Sequence, residues 1–429
     1  MFGFANFLLL ALFAAAVFDL IFALARGGGL RGALHGLWNT PHLLFGQQLA
    51  EWRLQPGRIL FAAGLAAYEI SVVFCNSMAR QNWAWVQGMM SPVLEWLAFL
   101  CFGAKILFGT RYTWRELLAG GALYFIARWV YFNSQNIWWI GIVVAVLAAK
   151  DVPLRRPLQV YFASGCAAMA VVLALHFAGI VAPDLTSERM GALRGTYGYG
   201  HPNTFGGLVF GLVLAYALLR AQKVRWVDCL LVFAVGVFLL VGPASRSAAL
   251  CTLALAVGLV FCRLRAGHSV PRWWPGTCAG MVGLTAAVSY LLPLLVIKVG
   301  PWNNDIGPAW LAKLDSLLTC RISLTWMAYR LLDVKIAGQV FNWPTVDNSF
   351  AFALFQFGPV VAALLGILFA AALLGHAKQG RRVEVCCLFA MLAYAYMEVQ
   401  PFHLTTNPTA LLLCGAVFAQ TSARWQKIE

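Results

Sequence analysis

Residues Arg194–Arg220 read RGTYGYGHPNTFGGLVFGLVLAYALLR, and the contrast between the two halves of this stretch decides the fold. The first half is polar, basic and rich in glycine. The second is an apolar run that ends on an arginine. An apolar run near 20 residues is long enough to cross the hydrocarbon core of a bilayer. A polar segment beside it is too costly to leave in lipid and belongs at a membrane face. The pattern recurs along the chain, with apolar runs at 3–25, 58–78, 89–108, 116–133, 135–149, 158–182, 204–222, 226–242, 246–262, 276–298, 349–374, 384–400 and 407–421. Only 11% of the 429 residues are charged and 61% are hydrophobic, with mean hydropathy +0.76. A soluble chain of this length carries about twice that charge. The expected fold is all-α, a polytopic transmembrane helical bundle of about 12–13 spans. Residues 1–149 form an N-terminal set of transmembrane helices. Residues 150–421 form a core that includes the loop 299–348. The short alternating segments of a β-barrel are absent.

The net charge of +15 does not point to nucleic acid, because the basic residues lie mostly in short loops between apolar runs. That distribution is an orientation signal. Lys150/Arg155/Arg156, Arg220/Lys223/Arg225, Arg263/Arg265/Arg272, Lys378/Arg381/Arg382 and Arg424/Lys427 fall on alternate sides of successive spans and so share one face, which the rule makes cytoplasmic. Arg26, Arg31, Arg53, Arg58, Arg111 and Arg115 fit the same face. The C-terminus is then inside and, for an odd number of spans, the N-terminus outside. The run Phe4–Ala25 lacks a positive leader and reads as a retained helix. The 11 cysteines are scattered through apolar runs and read as small buried residues, with neither a metal site nor a disulfide framework. Tryptophans near span ends (Trp83, Trp85, Trp138, Trp139, Trp273, Trp274) read as interface anchors. Segment 30–57 suits an interfacial helix. No repeat of the kind that marks many transporters is visible.

The outer face collects what remains: loop 183–203, the link Gly242–Ser247, loop 299–348 and the turn Gln400–Asn407. The middle of the long loop, WLAKLDSLLTCRISLTWMAYRLL, has helical spacing and suits one or two helices on the outer surface. Three spans start at this face, after Pro202, Ser245 and Asp347. Their N-termini expose N–H groups and partial positive charge, which favours an anion. Arg194 and Arg246 sit beside two of them, and Arg321 and Arg330 come from the long loop. Guanidinium suits phosphate oxygens. The glycines 195, 198, 200, 206 and 207 let backbone approach a ligand. His201, at a helix mouth, is either a general base or a helix cap. Arg246 is either functional at depth or snorkelling. Arg321 lies on an amphipathic stretch whose alternative reading is a solvated face, and Arg330 has a weaker case. Asp347-Asn348-Ser349 reads as a helix cap that also aims a carboxylate at an acceptor hydroxyl. Glu398 and His403 flank the last outer turn. Glu69, Glu95 and Arg128 fall within early spans, with Arg128 expected to pair with one glutamate.

Four of these segments together resemble a known family. Arg194–Gly206, RGTYGYGHPNTFG, resembles the outer-loop motif of Wzy-type polysaccharide polymerases of Gram-positive capsule and exopolysaccharide pathways, within the O-antigen ligase/polymerase superfamily. GPASRSAAL (Gly242–Leu250) looks like the arginine-bearing turn shared with O-antigen ligases. LTCRISLTWMAY (Leu318–Tyr329), followed by Gly338, looks like the helix of the long outer loop. VDNSF (Val346–Phe350) matches the Asp-Asn entrance to the next span. The likeness covers roughly residues 150–410.

The resemblance implies an inverting, metal-independent glycosyltransferase of the GT-C type, without cofactor, in the cytoplasmic membrane and with its site facing outward. Its substrates would be undecaprenyl-pyrophosphate-linked oligosaccharides in membrane lipid. A chain-length regulator and a flippase would be its partners, and nucleic acid would not. Arg194, Arg246 and Arg321 match positions that bind pyrophosphate, with Arg330, Tyr199, Asn203 and Asn348 as further pyrophosphate or sugar contacts. His201 and Asp347 match positions near the reaction. O-antigen ligases carry a histidine where this chain has Asp347-Asn348, which favours polymerase over ligase and leaves the base open among His201, Asp347 and Glu398. The competing readings are a ligase that moves a finished glycan to another acceptor and, in another class, a lipid-linked-sugar flippase or transporter. A transporter places its ionisable groups near the bilayer midplane on broken helices.

Overall fold

The computed structural model describes residues 2–25, 29–40, 42–44, 50–181, 187–189, 192–296 and 307–418; Arg26, Arg424, Lys427 and the first part of loop 299–348 lie outside the described residues. The first part comprises α1 (Phe2–Ala25), α2 (Gly29–Asn39), α3 (Ala50–Cys75), α4 (Ala79–Asn82), α5 (Ser91–Phe108), α6 (Trp114–Ser134), α7 (Ile137–Ala148) and α8 (Arg155–Phe177). The centre comprises α9 (Pro202–Leu219), α10 (Trp226–Val241), α11 (Arg246–Leu264) and α12 (Trp274–Leu291). The long loop contributes α13 (Ala309–Leu317) and α14 (Arg321–Leu331), as its spacing predicts. Then follow α15 (Ser349–Phe352), α16 (Pro359–Lys378), α17 (Arg382–Met397) and α18 (Cys414–Val417). There are also two antiparallel pairs, β1 (His42–Leu43) with β2 (Arg111–Tyr112) and β3 (Ser187–Arg189) with β4 (Ala192–Arg194), and short 3₁₀ and π segments.

Among the described residues eight helices are long and apolar enough to cross a membrane, the signature of a multi-pass helical membrane protein. Their outward faces carry exposed Leu10, Phe13, Leu100, Val257, Leu284 and Ile367, side chains that lipid accepts and water does not. The remaining expected spans take other forms. Residues 135–149 become α7, apolar all round and buried from Trp139 to Ala148, so it is a core helix of 12 residues. The run 116–133 becomes the 21-residue α6, which is not among the eight, and the runs 226–242 and 384–400 become the 16-residue α10 and α17. The last run is a 3₁₀ segment, Pro408–Leu413, followed by the four-residue α18.

The run 349–374 is split. α15 continues into a π-helical turn, Ala353–Phe357, and the chain breaks at Gly358 before α16 begins at Pro359. Gly358 holds φ 88°, and a Cβ there would lie 2.1 Å from the carbonyl oxygen of Ile336. Gln356 at the end of the π turn donates to the carbonyl of Ser134, which closes α6. The segment 349–357 is therefore a separate piece packed by the returning outer loop, and the long apolar helix starts ten residues later than its hydropathy suggests.

One continuous core joins the two halves of the chain. It includes Phe61, Phe102 and Val144 from the first part and Phe210, Leu255 and Leu388 from the second. Trp139 is part of it, stacked on Phe357 at 5.6 Å, so it is a core residue rather than an interface anchor. Arg128 donates to Asn6 Oδ1 and lies over the Phe132 ring, so the pairing expected with Glu69 or Glu95 is not formed.

Three of the basic loops meet at one end. Residues 221–224, 262–263, 266–267 and 380–384 line a common cleft. Arg382 donates to the carbonyls of Arg265 (Nη1, 2.5 Å), His268 and Ser269. The N-termini of α9 and α11 and the C-terminus of α17 meet at the other end, about 27 Å away for an 18-residue helix.

Candidate functional site

That other end carries a buried polar cluster assembled from four separate stretches. Glu398 is its centre. It follows α17 directly, is 5% exposed, and takes three hydrogen bonds on one oxygen. Arg321 Nη2 donates to its Oε1 at 2.7 Å, Ser247 Oγ at 2.8 Å and Asn203 Nδ2 at 3.0 Å. Asn203 extends the chain, since its Oδ1 accepts from Arg194 Nη2 at 2.9 Å. Arg194 also donates to the carbonyl of Ala244, in the link before α11. Arg194, Asn203, Ser247, Arg321 and Glu398 thus form one network, although 77 residues separate the two ionic partners at its centre.

Each side chain is placed by local structure. Arg194 closes the β3–β4 hairpin. Asn203 sits in the first turn of α9, which His201 caps: His201 Nδ1 accepts from Asn203 N at 3.1 Å. Pro202 at the next position suits a first turn that needs no N–H. Arg321 opens α14 after Thr319 and Cys320, both left-handed. Asp315 holds that start, its Oδ1 accepting from the backbone N–H of Ile322 at 2.7 Å and of Ser323 at 3.1 Å. Arg321 then spends its remaining donors on the carbonyls of Met397 and Leu318 and on Thr319 Oγ1, so the guanidinium plane is fully held. Asn348 caps α15 through Phe350 N (2.9 Å) and Ala351 N (3.1 Å), and neighbouring Ser349 donates to the carbonyl of Glu398.

Burial pushes the Glu398 carboxyl up, and the nearby Asp347 charge adds to that. Arg321 and the bond from Ser247 pull it back, leaving it at about 6. Desolvation outweighs an ion pair of 2.7 Å because both side chains are nearly closed off from water. A carboxyl poised there exchanges protons near neutral pH. His403, in the neighbouring turn, stacks on Trp138 at 3.8 Å between ring centroids, and burial lowers it to about 3, so it is neutral.

Not every residue expected at the site joins it. Arg246, first residue of α11, is exposed between buried Ser245 and Ser247, at the mouth of the cluster. Asp347 is half-buried beside Glu398. Tyr199 is completely buried in the core beside Phe205, so it is not open to a sugar. Arg330 is exposed on the far part of α14, over the Trp326 ring at 5.5 Å, and does not join the network. Gly206 and Gly207 approach protein rather than ligand: a Cβ at Gly206 would sit 2.2 Å from Ser245 Oγ, and one at Gly207 would sit 1.8 Å from Gln400 Oε1. Gln400 in turn donates to the carbonyl of Asn203 and accepts from Tyr394.

Ser247 joins the network although, in the Ser-Arg-Ser link, charge draws the eye only to the arginine. Among the described residues no group of three or more His, Cys, Asp or Glu is placed to hold a metal ion. The arrangement can do two things chemically: grip an oxyanion with guanidinium and N–H groups, and move a proton on Glu398. No protein-family model, curated protein or solved structure matches the chain.

Proposed function

We propose that the chain is a polysaccharide polymerase of the Wzy type, a GT-C-like glycosyltransferase with its site on the outer leaflet side of the cytoplasmic membrane. It would join oligosaccharide repeat units carried on undecaprenyl pyrophosphate. The observation that carries this reading is the buried network of Arg194, Asn203, Ser247, Arg321 and Glu398, capped at its mouth by Arg246 and Asp347. In the reaction, the acceptor sugar hydroxyl attacks the anomeric carbon of the donor. The carbon–oxygen bond to the diphosphate breaks, and its electron pair leaves with the polyprenyl diphosphate. Arg246 and the N-terminus of α11 meet the developing charge, with Arg321 and Arg194 behind them. Glu398 takes the hydroxyl proton, helped by its position near neutrality. His201, already engaged as a helix cap, is the weaker base.

Incubating the purified protein with a single synthetic polyprenyl-diphosphate-linked repeat unit tests the proposal. A ladder of products, each longer by one unit, is the expected result. Transfer of a preformed long glycan to a second acceptor, without a ladder, would favour the ligase reading. Lipid-linked unit moved across a vesicle unchanged would favour the flippase.

A further inference from the structure

The end of the bundle opposite the candidate site holds a second polar feature that the proposed reaction does not use. Loops α9–α10, α11–α12 and α16–α17 enclose a cleft of about 430 Å³, lined by Lys223, Arg263, Arg381 and Arg382 with Glu384 as the one carboxylate among its lining residues. Lys223, Arg263 and Arg382 have no ion-pair partner among the described residues. Arg382 is committed to the carbonyls of Arg265, His268 and Ser269 and so builds the wall. Lys223 and Arg263 are exposed on it. An orientation signal needs only positive charge in a loop. It does not need three loops closed around a concave space of small-molecule size.

The geometry points to a binding site for the phosphate group of an anionic phospholipid in this cleft. Phosphate is the chemistry that several convergent cations recognise. The lipid source is favoured by what borders the cations in the chain. Trp226 and Val227 follow Lys223, and Phe261 and Leu264 flank Arg263; all four are exposed and apolar, a surface for acyl chains leading away from the headgroup.

The test uses the full-length protein in neutral detergent, with native mass spectrometry counting retained lipid. The probes are phosphatidylglycerol, phosphatidylcholine and inorganic phosphate. The wild type should retain phosphatidylglycerol over phosphatidylcholine. Lys223→Gln and Arg263→Gln should each weaken that retention about fivefold at low salt. Ala266→Trp, which fills the cleft without changing charge, should also weaken it. The double variant Arg155→Gln/Arg156→Gln removes two exposed charges from the start of α8 and should retain lipid normally. Equal retention in all variants would overturn the site. So would equal loss in the α8 variant, because that marks a general surface field. Displacement of the lipid by inorganic phosphate at low millimolar concentration would overturn the lipid assignment in favour of a soluble phosphate.

Discussion

The Arg321–Glu398 pair yields the sharpest prediction. Both side chains are nearly shut off from water, at 7% and 6% exposure, and they meet at 2.7 Å. Arg321→Ala strips Glu398 of its cation while leaving it buried. Removing one partner of such a pair costs about 3–5 kcal/mol when the survivor stays charged. Glu398 can escape by taking a proton. With its pKa at about 6 even beside arginine, that escape costs at most about 1.4 kcal/mol at pH 7 and nothing at pH 5. The damage from Arg321→Ala should therefore grow from pH 5 to pH 8. Adding Glu398→Gln removes the charge altogether and should recover most of the pH-dependent part, by roughly 1–3 kcal/mol at pH 8. The assay is the unfolding midpoint of purified protein in one detergent, for wild type, both single variants and the double variant, at pH 5.5 and pH 8. Polymer formation should stay lost in the double variant. A double variant no more stable than Arg321→Ala at pH 8 would refute the reasoning, because the two groups would then not be coupled.

Further outcomes follow from the structure. If Glu398 is the base, initial polymerisation rate should climb about tenfold between pH 5 and pH 7, as a carboxyl near 6 loses its proton, and Glu398→Gln should flatten that rise. The stability contribution of the same group has the opposite sign: a carboxyl raised above its usual 4.5 favours the folded state below about pH 4.5, and that contribution is lost as pH rises through about 6. Arg246→Ala should slow turnover roughly 10²–10³-fold with normal folding, as for a lost oxyanion donor, while Arg330→Ala leaves product length and rate unchanged. His201→Asn should retain most activity where His201→Ala does not, because asparagine also caps a helix; equal loss in both would make the imidazole itself the base. Gly211→Ala should lower the unfolding midpoint, since its Cβ would lie 2.5 Å from the carbonyl oxygen of Thr405, an unyielding backbone atom.

Much of this was readable from residue types alone. Arg194 stands out beside a helix N-terminus on the outer face, Arg321 on the long outer loop and Glu398 beside the last outer turn, though none of the three shows its burial in the sequence. The helices of the long loop follow from their spacing, and the meeting of three basic loops from their alternation. What stayed hidden depends on tertiary contact. Nothing in Ser-Arg-Ser says that Ser247 points at a carboxylate 151 residues away. Gly206 and Gly207 read as room for a ligand, yet they make room for Ser245 and Gln400. The run after Ser349 reads as one helix, because hydropathy cannot register the Ile336 carbonyl that packs against Gly358. Arg330, from the same loop helix as Arg321, lies nine residues further on, over the Trp326 ring and outside the network.

The most direct test is an experimental structure of the protein with an undecaprenyl-diphosphate-linked repeat unit. The account predicts the two phosphates within hydrogen-bonding reach of Arg246 and the N-terminus of α11, with Arg321 held behind them by the protein and the sugar hydroxyl side facing Glu398. Phosphates seated away from Arg246 and this helix end would contradict it.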